Sequence, residues 1–63
     1  MKLKVIISMD NSAFEPDAGY ELGRLLGKVA VDVAGKDRFH LCGYERKLLD
    51  SNGNSVGKAT VVQ

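Results

Sequence analysis

The chain has 63 residues, with nine lysines and arginines against eight aspartates and glutamates, a formal net charge of +1 and one cysteine. A chain of this length predicts a single domain, residues 1–63, whose own core supplies only about 3–5 kcal/mol of stability, so association with a copy of itself or with a partner is expected. The charge balance excludes a strong overall positive field that would attract nucleic acid. The single cysteine, Cys42, excludes an internal disulfide and fits a reducing compartment such as the cytoplasm. No apolar run approaches the ~20 residues of a membrane span.

The first predicted element is a strand over residues 2–9, where apolar side chains alternate with mostly polar ones. Its apolar side consists of Leu3, Val5, Ile7 and Met9. The apolar run stops at Ser8, too soon for the apolar region of a signal peptide. Residues 12–15 then have the spacing of a capping box and predict a short helical turn.

The main helix is predicted to begin near residue 17, because Pro16 and Asp17 suit a helix start, and to end at Gly35, which suits a left-handed terminal residue. Its core stripe at helical spacing consists of Ala18, Leu22, Leu25, Leu26, Val29 and Val33. Its opposite, charged side consists of Glu21, Arg24, Lys28 and Asp32.

Small residues form a second stripe on this helix, at Gly19, Gly23, Gly27, Ala30 and Ala34. Each helical glycine costs about 0.5–1 kcal/mol relative to alanine, so this regular spacing indicates that something packs close to the backbone. Two hypotheses fit. The glycines lie against the sheet of the same molecule, or they form a shallow groove, flanked by Tyr20 and Val31, that takes a second helix.

Residues 41–49 and 55–62 are predicted to form a hairpin, with Asn52-Gly53 as a two-residue type I′ turn. That turn pairs Leu49 with Val56, Leu48 with Gly57, Arg46 with Ala59 and Tyr44 with Val61. The small side chains of Gly57 and Ala59 would then leave room for the helix to lie close to the hairpin.

The order strand, helix, strand, strand predicts an α+β fold of the β-α-β-β type. Placing the third strand in the centre, in the order 2-3-1, gives a three-stranded antiparallel sheet with the helix packed on one face. The uncovered outer face is expected to hold apolar Ile6, Leu49, Val56 and Val62 among basic Lys2, Lys4, Lys47 and Lys58. Contiguous exposed apolar groups mark a contact site.

Arg46 is the one charged residue on the predicted core side of the hairpin. Three roles fit it: it extends past Ala59 to the rim, it pairs with a helix acid such as Asp32, or it anchors an interface with another protein.

No catalytic, cofactor-binding or metal site is predicted. His40 and Cys42 would lie on the same side of a strand, but Asp37 is the only further ligand nearby, and so small a fold lacks the pocket of a Cys-His catalytic pair. Residues 50–54, Asp-Ser-Asn-Gly-Asn, are faintly similar to a calcium loop, but the glycine is in the fourth position and Val61 stands where the glutamate belongs. A hairpin turn explains these residues.

Three segments resemble a group of very small proteins encoded by phages and prophages. They are Ile-Ser-Met-Asp-Asn-Ser-Ala-Phe at 7–14, Gly-Tyr-Glu-Leu-Gly-Arg-Leu-Leu at 19–26, and Asp-Ser-Asn-Gly-Asn-Ser-Val-Gly-Lys-Ala at 50–59. That group carries a Met-Asp-Asn-Ala-Ala-Phe segment, a Gly-x-Glu-x-x-Arg-Ile-Leu helix start and an Asp-x-Asn-Gly-Asn-x-Val-Gly hairpin, from which Gly23 and Gly27 depart. The resemblance implies the cytoplasm of an infected bacterium, where such proteins often bind and redirect or inhibit host proteins, including defence systems.

The sequence therefore predicts a non-enzymatic homodimer that occupies a surface on a host or phage protein, inhibition of a host defence system being one such role. The expected contact residues are Tyr20, Gly23, Gly27 and Val31 on the helix, Ile6, Leu49 and Val56 on the outer sheet face, and Arg46. The alternative is a small nucleic-acid-binding module that uses the lysines of the outer face. Neither hypothesis involves a membrane.

Overall fold

A computed structural model describes all 63 residues. The elements in chain order are β1 (Lys2–Ile7), a 3₁₀ turn (Ser12–Phe14), α1 (Ala18–Val33), α2 (Arg38–Leu41), β2 (Glu45–Leu49) and β3 (Ser55–Val62). Strand β3 is central and antiparallel to both neighbours, in the order β1-β3-β2, and α1 contributes to the core on one side of the sheet. The predicted α+β fold and strand order are confirmed. Neither helix has both the length and the apolar character needed to cross a lipid bilayer.

Helix α1 begins and ends close to the predicted positions. The carboxylate of Asp17 caps its first turn by accepting a hydrogen bond from the backbone N–H of Tyr20, at 3.0 Å. After the helix, Gly35 adopts a φ of +80°, which glycine reaches without steric penalty. The local signals at both ends therefore set the length of this helix.

Two short segments differ from the prediction. The 3₁₀ turn is preceded by Asn11 as its N-cap, without the side-chain hydrogen bond of a capping box. Residues 38–41 form the short helix α2 rather than leading into a strand, because Asp37 accepts a hydrogen bond from the backbone N–H of His40 at 2.9 Å. Strand β2 consequently begins at Glu45, after Gly43 with its φ of +84°.

The core lies between α1, the 3₁₀ turn and the inner face of the sheet. Its buried members are Phe14, Leu25, Val29, Leu48, Val56 and Ala59. Leu26, which helical spacing places in the core stripe, is instead 43% exposed. At ~100° per residue Leu26 lies just outside the sector of the helix that contains the buried Leu25 and Val29. The sheet of so small a domain is not wide enough to cover it.

The turn between β2 and β3 has three residues instead of two. The N–H of Gly53 donates to the carbonyl of Asp50 at 2.9 Å, and the N–H of Asp50 donates to the carbonyl of Asn54 at 2.8 Å. Only Gly53 has a positive φ, +85°, whereas a type I′ turn also requires one at Asn52. The predicted type I′ turn is wrong. The geometry is that of a tight turn closed by a left-handed glycine.

A β-bulge at Val56 compensates for the longer turn. Leu49 pairs with Ser55 and Leu48 with Gly57, so Val56 has no partner on β2, and beyond it the predicted pairs of Leu48 and Arg46 are confirmed. The bulge turns the Val56 side chain into the core, where it is 7% exposed. The prediction that Val56 lies opposite Leu49 on the outer face is therefore wrong.

Gly57 is needed because strand β1 comes very close to it. A Cβ atom at this position would lie 1.9 Å from the backbone oxygen of Ile6, far inside van der Waals contact. Beside it, the N–H of Ser8 donates to the carbonyl of Val56 at 2.8 Å and holds β1 against the bulge. The missing side chain makes room for the β1 backbone, not for the helix as the sequence suggested.

Candidate functional site

One side of α1 is exposed and carries no charge. This surface, which we call the helix face, consists of the exposed residues Gly19, Tyr20, Gly23, Leu26, Gly27, Ala30 and Val31. Tyr20 and Val31 are 73% and 78% exposed, so their side chains stand almost free in solvent. At ~100° per residue the seven positions span a sector of about 140°, which on a solvated helix normally carries charged side chains.

The helix glycines make no contact with the sheet. A Cβ atom at Gly23 or Gly27 would meet nothing within 4 Å, and one at Gly19 would meet only the Asp17 carboxylate, at 3.7 Å. The hypothesis that these glycines lie against the hairpin is therefore wrong. A side chain at Gly23 or Gly27 would collide with nothing in the molecule, so packing within the chain does not account for glycine, with its unfavourable helix propensity, at these two positions.

Three of the four residues on the charged side of α1, namely Glu21, Arg24 and Asp32, bond to the hairpin, whereas Lys28 is exposed. Glu21 is 3% exposed; its carboxylate accepts hydrogen bonds from Arg24, at 3.0 and 2.9 Å, and from the backbone N–H of Ser51, at 2.8 Å. Arg24 in turn donates to the carbonyl of Leu49 at 3.2 Å. The hydrogen bond from Arg24 lowers the pKa of Glu21, outweighing the effect of burial, so this carboxylate stays ionised while joining helix to turn.

Arg46 is occupied within the molecule. Its guanidinium donates to both carboxylate oxygens of Asp32 at 2.8 Å, and the hydroxyl of Tyr44 donates to the same carboxylate at 2.7 Å. Arg46 lowers the pKa of Asp32, with Tyr44 adding to the effect, whereas burial and then the bond to Asp32 raise the pKa of Tyr44 to about 12. Of the three roles considered, the structure shows the pairing with Asp32.

The second exposed surface is the side of the sheet away from α1. This outer sheet face consists of Lys2, Lys4, Ile6, Glu45, Lys47, Leu49, Lys58, Thr60 and Val62. Ile6 is 68% exposed and Leu49 is 44% exposed, so two of the predicted contact residues are accessible here. A shallow concavity of about 650 Å³ lies on this face, and its charged and apolar lining consists of Lys4, Lys47, Lys58, Glu45 and Ile6. The buried Val56 is not part of it.

Charge is unevenly distributed between the two sides of the molecule. Four lysines and Glu45 give the outer sheet face a formal charge of +3, and since the whole chain carries +1, the remainder carries −2. Lys58 pairs with Glu45 at 2.8 Å, whereas Lys2, Lys4 and Lys47 form no salt bridge. The near-neutral composition therefore conceals a basic face.

Neither His40 with Cys42 nor the Asp50 turn is part of a cluster of metal-ligating side chains. The Asp37 carboxylate lies 2.7 Å from Nδ1 of His40, and Cys42 is an exposed free thiol. The backbone N–H of His40 is the main cause of the lowered pKa of Asp37. Both oxygens of Asp50 are occupied by protein donors, and no group of three or more potential metal-ligating side chains occurs in the structure.

Besides the terminal Met1, four apolar residues are exposed that the sequence analysis did not place on a contact surface. Leu3 and Met9, predicted on the apolar side of β1, are 47% and 43% exposed, so that side is covered only in part. The other two are Leu26 and Phe39. Leu26 extends the helix face, and Phe39, on α2, is 82% exposed, with its ring against that of His40 at a centroid distance of 5.4 Å. The position of Leu26 at the edge of its helical stripe could have indicated its exposure, whereas α2 is too short to have a periodicity.

Comparison of the chain with known proteins finds no matching family, no matching curated protein and no matching solved structure.

Proposed function

We propose that this chain is a non-enzymatic binding protein of the bacterial cytoplasm, which dimerises through the helix face and occupies a surface on a host or phage protein. A component of a host defence system is one candidate partner, in line with the resemblance to small phage proteins. The observation that carries the proposal is the exposed, uncharged helix face, in which Gly23 and Gly27 have open space where a side chain would be.

The helix face suits contact with a second copy of itself. Glycine and alanine let two helix axes approach at the short end of the usual 8–10 Å range, and Tyr20, Leu26 and Val31 would lose water on contact. Two uncharged faces meet without like-charge repulsion, whereas two outer sheet faces would each bring +3. A core of six buried residues also leaves a small domain with much to gain from association.

The alternative function, nucleic-acid binding, is supported by the basic outer sheet face. That face has lysines but no aromatic residue and no arginine, the side chains that stack on bases or grip guanine edges. We therefore favour a protein partner.

Replacing Gly23 with leucine tests the dimer. The side chain points into open solvent in the monomer, and leucine is the better helix former, so the fold should persist. In the dimer the leucine side chain would push the two helices apart and raise the dissociation constant of the dimer about tenfold or more. Light scattering over a concentration series measures this, with Lys28→Leu, outside the helix face, as the matched control.

A wild-type chain that stays monomeric at all concentrations, or a Gly23→Leu variant that dimerises like the wild type, contradicts the dimer. For the partner, affinity capture with the tagged chain from infected-cell lysate should recover a protein in stoichiometric amount. Recovery of nucleic acid alone would favour the alternative function.

A further inference from the structure

We propose that the outer sheet face binds an acidic segment of the partner protein, one in which an aliphatic side chain lies between carboxylates. This inference rests on the proposed function, because it gives the chemistry of the protein partner. It places that partner on the opposite side of the molecule from the dimer contact.

The first argument is charge complementarity. The outer sheet face carries +3 and the remainder of the chain −2, so an acidic segment is attracted to this side and repelled by the others. The three lysines without salt bridges, Lys2, Lys4 and Lys47, lie on both edge strands and leave room for carboxylates across the whole face.

The second argument is an unfavourable pairing inside the sheet. Lys47 and Lys58 are direct cross-strand partners, a like-charge arrangement that destabilises a sheet. Glu45 neutralises Lys58 through their 2.8 Å salt bridge and leaves Lys47 without an anion. A carboxylate from a partner would relieve the repulsion, so this arrangement favours an anionic ligand.

The third argument selects a protein segment over a phosphate chain. Ile6, 68% exposed, has Lys58 as its cross-strand partner and shares the shallow concavity with Lys4 and Lys47. A phosphate backbone would bury Ile6 against charged oxygens, whereas an aliphatic side chain flanked by carboxylates satisfies both the isoleucine and the lysines. Apolar anchors surrounded by a charged rim are typical of protein interfaces.

The test measures binding by fluorescence anisotropy at low salt. The probe is a fluorescein-labelled peptide of alternating glutamate and leucine. Two comparison probes carry the same number of negative charges: a peptide of alternating glutamate and serine, and a single-stranded oligothymidylate. The glutamate-leucine peptide should bind the full chain most tightly of the three.

The variants locate the site. Lys4→Glu with Lys47→Glu changes the charge of the face from +3 to −1 and should weaken binding about tenfold or more. The fold should persist, because Glu at 47 would face Lys58 as an opposite-charge pair. Lys28→Glu with Arg38→Glu, the same charge change elsewhere, should alter binding only about twofold. Ile6→Ser should reduce the preference for leucine over serine in the peptide.

Tighter binding of oligothymidylate, an equal loss in both double variants, or an unchanged leucine preference in Ile6→Ser would each overturn this inference. So would the absence of binding to the glutamate-leucine peptide. Failure here is distinguishable from failure of the proposed function, because dimerisation and capture of a partner protein are measured without these probes.

Discussion

Replacing Gly57 with alanine is expected to lower the free energy of unfolding by on the order of 3 kcal/mol or more. The added methyl group would lie 1.9 Å from the Ile6 oxygen and 2.9 Å from the Cα of Ile7, both of them backbone atoms that no side-chain rotation can move away. Strand β1 would have to separate from the bulge and lose hydrogen bonds such as that from Ser8 to Val56. For a domain with six buried core residues, a loss of this size approaches the whole stability.

Thermal or urea unfolding followed by circular dichroism measures the effect. The control is Gly27→Ala, at an exposed helical position where the new methyl group meets nothing within 4 Å. That variant should gain about 0.5–1 kcal/mol from helix propensity. Both are measured at concentrations below dimer formation. A Gly57→Ala variant as stable as the wild type would show that β1 does not lie this close to the bulge.

Local sequence patterns were sufficient to predict the overall fold. Alternation defined β1, helical spacing defined α1 and the Asn-Gly signal defined the hairpin of β2 and β3; the crossover and pairing rules then left β3 in the centre. The predicted turn of the hairpin was one residue too short, because Asn52-Gly53 is compatible with a two-residue or a three-residue turn. The single extra residue in the turn required a bulge, and the bulge moved Val56 from the outer face to the core.

The candidate surfaces were predicted only in part, because their exposure depends on how the elements pack. Sequence spacing placed Tyr20, Gly23, Gly27 and Val31 on one side of the helix, but it did not decide whether that side met the sheet or solvent. The decision comes from tertiary contacts, since Glu21 and other charged residues bond to the hairpin and so turn the small residues outward. The strand order was enough to place the lysines on the outer sheet face. The net charge of +3 on that face could be counted only from the strand register, which also places Glu45 there.

Replacing Asp50 with alanine is expected to lower the melting temperature by about 10 °C or more. Asp50 is 4% exposed, and its Oδ1 accepts from the backbone N–H groups of Asn52 and Asn54, both at 2.9 Å. Its Oδ2 accepts from the Asn11 side chain at 2.8 Å, which ties the loop after β1 to the turn. Alanine would leave these donors unsatisfied in a partly buried site, the more costly way to lose a hydrogen bond.

Asp50→Asn removes the charge and the Oδ2 acceptor of the Asn11 side chain but keeps one oxygen for the backbone hydrogen bonds. Asparagine keeps one oxygen for the two backbone donors, so it should lose less stability than alanine, while exposed Asp10→Ala serves as the control with little change. Equal melting temperatures of the alanine variant and the wild type would show that the turn is not held by Asp50.

The charge of Asp50 has its own signature in the pH dependence of stability. Hydrogen bonds, first from the Asn11 side chain and then from the Asn54 backbone, lower the pKa of Asp50 below its ordinary value. A carboxyl group whose pKa is lower in the folded state stabilises the fold above its unfolded pKa, about 3.9, and this stabilisation is lost as the pH falls through the folded pKa. The wild-type melting temperature should therefore fall on acidification. In Asp50→Asn this fall should be smaller but not absent, because Glu21 and Asp32 also have lowered pKa values and still contribute to it. Melting curves collected between about pH 7 and about pH 2 give the comparison, and parallel curves for wild type and Asp50→Asn would show that the Asp50 carboxylate adds no charge-dependent stability to the turn.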